Sequence, residues 1–113
     1  MLQTNLPHLM SKSDFTTTLQ QHEKMVVVCG RMGPMCIPVY GIMESLREKY
    51  PDVGFYDFEF DNPESSVIRS LPETRNFSGL PYTVYFRNGK VVKATSSIQT
   101  AKDVKAVLND VFR

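Results

Sequence analysis

Residues 26–38 read Val-Val-Val-Cys-Gly-Arg-Met-Gly-Pro-Met-Cys-Ile-Pro, with sulfur at Cys29, Met32, Met35 and Cys36. A thiol at a helix N-terminus has its thiolate favoured by free backbone amides and the helix dipole, and such a thiolate attacks disulfides. A thioether has both valences of its sulfur on carbon and can do neither. Any thiol chemistry here must therefore run through Cys36, alone or with Cys29. Cys36 sits about 60° from the centre of the apolar stripe of the following helix, which predicts partial exposure. Cys29 closes an apolar strand, where a free cysteine packs as a small hydrophobe. A Cys29–Cys36 disulfide would bridge the strand-to-helix turn if their Cα atoms approach within about 7 Å. Met32, Met35 and Cys36 are also soft donors of the kind Cu(I) takes, but neither His8 nor His22 has ligand spacing to them, so no metal or cofactor is expected.

These side chains need elements to hold them. Met25 to Cys29 is a continuous β-branched run, as in a strand covered on both faces. From Pro34 to Tyr50, the residues Met35, Val39, Ile42, Met43, Leu46 and Tyr50 recur at roughly 100° per residue, which predicts a helix ended by Pro51. Val53 to Phe60 alternates as a strand with one wetter face, and Asp57, Glu59 and Asp61 read as solvated charges on it. A first helix is expected over about 14–22 with Ser13 as its cap, and a third over about 64–71 before a loop at 72–79. Tyr82 to Phe86, Asn88-Gly89 and Val91-Val92 form a hairpin with a type I′ turn. Thr100 and Asp103 resemble a capping box for a last helix over about 101–112, whose stripe is Val104, Val107, Leu108 and Val111.

Composition narrows the function classes. A chain of 113 residues fits a single domain, 1–113, able to bury its own core. Thirteen Lys plus Arg against twelve Asp plus Glu, with no block of like charge, argue against nucleic acid or an anionic membrane as partner. The start MLQTNLPHLM lacks a basic segment followed by an apolar run, and no stretch reaches membrane-spanning length, so a cytoplasmic location is expected. Apolar, Met-rich surface near residues 32–35 fits a monomer or a weak dimer.

The order β-α-β-α-β-β-α, the Gly-Pro turn at 33–34 and the stretch GLPYTVYFRNGKVV at 79–92 together resemble the thioredoxin family over roughly residues 13–112, with an insertion near 72–79. The resemblance implies an α/β thioredoxin-like fold, a mixed sheet of about four to five strands flanked by helices. It also implies that the two cysteines of the family's Cys-Gly-Pro-Cys loop fall on Met32 and Met35, and its buried strand carboxylate on Val26. The helix-kinking proline falls on Tyr40, with Pro38 two residues early. Pro81, after Leu80, matches the family's cis-proline, which lies against the active loop and leaves backbone free to pair with an extended substrate. The implied groove comprises Met32, Gly33, Pro34, Met35, Leu80, Pro81 and Tyr82. The function expected is a polypeptide-binding or chaperone-like partner in a redox or assembly pathway, without conventional disulfide reductase activity. The alternative is thiol–disulfide exchange or redox switching through Cys36, with or without Cys29.

Overall fold

The computed structural model describes residues 2–112. Its elements in chain order are β1 (His8–Leu9), α1 (Lys12–Gln21), β2 (Lys24–Gly30), α2 (Ile37–Lys49), β3 (Val53–Glu59), α3 (Ser66–Arg69), β4 (Tyr82–Arg87), β5 (Lys90–Ser96) and α4 (Ala101–Val111). Single 3₁₀ turns occupy Pro63–Ser65 and Pro72–Asn76. The five strands lie in the order β1-β3-β2-β4-β5. β1 and β2 run parallel to β3, while β4 is antiparallel to both β2 and β5.

The central position of β2 follows from its composition. Met25, Val27 and Cys29 pack with Phe58, Ile68 and Val84 on one sheet face, and Val26 and Val28 pack with Val39, Met43, Phe55 and Leu108 on the other. Two apolar faces on one strand require cover on both sides. The first face is covered by Phe15 of α1 and Ile68 of α3, the second by α2 and α4. α3 has four residues, far below the length at which a helix holds itself. The burial of Ile68 against the sheet holds it in place.

The hairpin has the expected turn, with Asn88 at φ 52° and Gly89 at φ 80°. Thr100 and Asp103 form a full capping box on α4. Several boundaries differ from the sequence reading. Ser11, not Ser13, caps α1: its side chain accepts from the Asp14 amide, so the helix opens at Lys12. The expected third helix resolves into a 3₁₀ turn followed by α3, and the expected loop at 72–79 holds a second 3₁₀ turn. β5 runs on to Ser96. β1 was not expected at all, because His8-Leu9 is too short to show a period. No helix among the described residues is long and apolar enough to cross a membrane.

Candidate functional site

Two turns meet at the end of β2. In the first, the Gly33 carbonyl accepts from the amides of both Cys36 and Ile37 at 3.0 Å, and regular helix begins at Ile37 with Pro38 in its first turn. In the second, the Leu80–Pro81 bond is cis. The Ser97 amide donates to the carbonyls of Gly79 (3.1 Å) and Pro81 (3.0 Å). Leu80, between them, makes no backbone hydrogen bond among the described residues and is only partly covered.

Gly30 allows the two turns to close on each other. A Cβ at Gly30 would lie 2.6 Å from the Tyr40 hydroxyl, 3.0 Å from Cys36 Sγ and 3.4 Å from Pro81 Cβ. The Tyr40 hydroxyl fills that space and donates to the Arg31 carbonyl at 3.0 Å. Its burial raises its pKa well above the usual phenol range, so it acts as a fixed neutral donor.

Between the turns is an open groove with a cavity of about 450 Å³, and its wall is mostly carbon. Pro34, Met35, Phe60, Phe77 and Leu80 supply the apolar wall, Gly33 and Gly79 the backbone, and Cys36 the floor. Arg31 marks the rim. Its guanidinium makes a forked bond to Asp61 (2.8 and 2.9 Å) and lies 5.3 Å from the Phe60 ring centre. That pairing holds the Asp61 carboxyl below the usual carboxylate range.

The structure brings together Gly33, Pro34, Met35 and Leu80 of the expected groove, adds Cys36 to them, and separates three other residues from it. Met32 is turned toward the N-terminal segment, where its sulfur accepts from the Gln3 amide at 3.3 Å. Pro81 and Tyr82 are buried behind the groove, Tyr82 with its ring edge-on to Phe77 at 5.5 Å. Sequence reasoning missed Arg31, Phe60, Phe77 and Gly79 as wall residues. Phe60 was visible as the last aromatic of the β3 alternation, but Phe77 sits in an irregular segment where no period points it anywhere.

Cys36 corrects its expectation most clearly. It is 3% exposed, not partly exposed. Because regular helix starts at Ile37 rather than Pro34, the inward stripe becomes Cys36, Val39, Tyr40, Met43 and Leu46, and Met35 turns outward. The two thiols are free, so the Cys29–Cys36 disulfide is not formed. Cys29 packs on the opposite face of the sheet from the α2 stripe, and burial pushes its pKa up to about 12. At neutral pH it carries almost no thiolate.

Asp57 is the second correction. It is 0% exposed, not a solvated charge. It accepts from the Thr4 hydroxyl at 2.5 Å and pairs with His8 Nδ1 at 2.6 Å. Residues 2–7 run along this part of β3 with Leu2 and Leu6 buried on its Phe55 face, while Leu9 of β1 packs on the other, so the strand face read as wet is covered by a segment that gave no sequence signal. Burial raises the pKa of Asp57, and its bonds to Thr4 and His8 oppose that rise. Asp61 does remain at the surface.

No family model and no curated sequence matches the chain. Solved structures do. Thioredoxin from Plasmodium falciparum superposes with a TM-score of 0.77 at 18% identity, over 94% of this chain and 99% of that one. This chain has the thioredoxin fold. Mitochondrial thioredoxin 3 from Saccharomyces cerevisiae, in its oxidised form, gives 0.76 at 21% identity over 94% and 95%. Oxidised thioredoxin O2 from Arabidopsis thaliana gives 0.73 at 18% over 99% and 98%. Within this thioredoxin fold the β2–α2 turn carries thioethers at Met32 and Met35, and the strand position of Val26 is apolar and fully buried.

Proposed function

We propose that this protein binds extended polypeptide in the groove between the two turns and does not exchange disulfides with it, acting as a chaperone-like partner in a redox or assembly pathway. One observation carries the proposal. The unpaired Leu80 backbone lies beside an apolar wall of Met35, Phe60 and Phe77, with no thiol at 32 or 35. An extended chain gains main-chain hydrogen bonds at such an edge and puts alternate side chains into the apolar hollow. Each bond adds about 0.5–1.5 kcal/mol net, so side-chain burial must supply most of the affinity. Adaptable methionine suits a wall that accepts varied side chains.

A second reading rests on Cys36, whose side chain forms part of the groove floor. A bound partner's disulfide would then be attacked by this single thiol. The precipitation of insulin chains under dithiothreitol separates the two readings, with the released chains serving as the polypeptide probe. Binding predicts a stoichiometric delay of precipitation that Leu80→Asp abolishes and Cys36→Ser retains. Acceleration by substoichiometric protein, lost in Cys36→Ser, would overturn the binding proposal in favour of exchange.

A further inference from the structure

The exposed sulfurs around the first turn are thioethers, and the thiols are covered. Both thiols are buried, Cys29 completely and Cys36 nearly so, while Met32 and Met35 are 42% and 44% exposed in the turn that forms one side of the groove. Thiol oxidation follows thiolate character and access. Burial denies Cys29 both. A thioether needs no deprotonation: its lone pair is nucleophilic at any pH, so access alone limits it.

We propose that Met32 and Met35 are a peroxide-sensitive modification site that takes up oxygen ahead of both cysteines, and that the oxygen on Met35 turns one wall of the groove from apolar to polar. A sulfur lone pair attacks one peroxide oxygen, the O–O bond breaks, and after proton transfer the second oxygen leaves as water. Sulfur is oxidised by two electrons to the sulfoxide, and hydrogen peroxide is reduced by the same two. The return step needs a dithiol-dependent sulfoxide reductase, which yields thioether, water and a disulfide.

The two sulfurs have different surroundings, so they report different consequences. Met35 lines the groove, where a sulfoxide oxygen loses its water when an apolar side chain docks and so lowers the affinity for apolar side chains. Met32 holds the Gln3 amide, so its sulfoxide alters the contact between the N-terminal segment and the turn. The consequence for polypeptide binding rests on the groove reading proposed above, whereas oxygen uptake depends on the two sulfurs alone.

The test treats the intact protein with hydrogen peroxide and follows it by mass spectrometry, with fragment ions assigning each oxygen. Met32 and Met35 should each gain one oxygen before Cys29, Cys36 and the buried Met25 and Met43 change. Met10, 48% exposed and outside the groove wall, should oxidise alongside them as an access control. Oxidation of Cys36 at the same rate or earlier, or oxidation of Met10 with Met32 and Met35 intact, overturns the proposal. An anilinonaphthalene sulfonate dye then reads the groove. Affinity should fall about tenfold on oxidation, the cost of an unpartnered polar group on an apolar wall. That response should vanish in Met35→Leu and persist in Met10→Leu. An unchanged or rising signal in the oxidised wild type overturns the polarity change.

Discussion

The Gly33–Cys36 turn and the Gly79–Pro81 turn face each other across one groove and differ in what each has kept. At Gly79–Pro81 the Ser97 amide fastens both flanking carbonyls and leaves Leu80 open, a pattern made wholly of backbone. At Gly33–Cys36 the backbone is equally well formed, with two amides on the Gly33 carbonyl and a helix start behind it, but the side chains at 32 and 35 end in thioethers. Backbone patterns tolerate many side chains, whereas exchange through a dithiol pair needs one kind of atom at two positions. A scaffold can therefore lose the second property and keep the first.

The most severe way to break this comparison is to return thiols to the first turn. In Met32→Cys/Met35→Cys the frame is intact, so a disulfide should form and insulin reduction should appear where the parent shows only the reagent background. A thiol whose pKa falls from about 8.5 to about 7 at a helix N-terminus gains roughly tenfold in thiolate at neutral pH, which sets the least increase expected over an unactivated thiol. Full activity is not expected, because Val26 supplies no carboxylate. If the double variant stays at background, the first turn has lost its geometry as well as its atoms.

Gly30 tests whether the turns depend on each other. Gly30→Ala drives a methyl group into the Tyr40 hydroxyl and toward Cys36 and Pro81. Tyr40 is buried and bonded to the Arg31 carbonyl, so it cannot swing away freely. Overpacking of this kind costs about 1–3 kcal/mol. The urea midpoint should fall accordingly, and amide protection should drop at both Cys36 and Ser97. A loss confined to one turn would show that they are held separately.

The groove's position was legible in the sequence because it depends on strong local signals: the β2 run, the Gly-Pro turn, the Leu80-Pro81 pair and the Asn-Gly hairpin. Its lining was less so. A helix start misplaced from Ile37 to Pro34 rotates the stripe and exchanges the burial of Met35 and Cys36. The terminal segment was the larger omission. Leu2 and Leu6 are buried but have no helical or strand period, so nothing marked their segment as the cover of Asp57. A buried carboxylate therefore read as one of three surface acids.

That cover gives the comparison its last and smallest test. The first turn touches the N-terminal segment through Met32 and Gln3, and the segment is tied to β3 by Asp57. The second turn is tied by the Ser97 amide, and none of its residues is titratable. Around Asp57 stand Thr4 and His8, with Tyr40 and Glu44 on α2. Its carboxyl titrates above the usual range, chiefly because it is buried, so the folded state holds the proton more tightly than the unfolded chain does. This contribution is complete below the unfolded value of about 3.9 and is lost as pH rises through the folded value. Asp57→Asn keeps an acceptor for Thr4 and carries no charge. Relative to this variant, the wild type should lose stability as pH rises from about 4 toward neutrality, read from paired urea midpoints. The extra loosening should show in the protection of the Leu6 amide, bonded to Thr4, and not at Ser97. A midpoint difference that narrows with rising pH would mean that the ion pair with His8 outweighs the burial of the charge, and that the first turn's anchor is strengthened rather than weakened toward neutral pH.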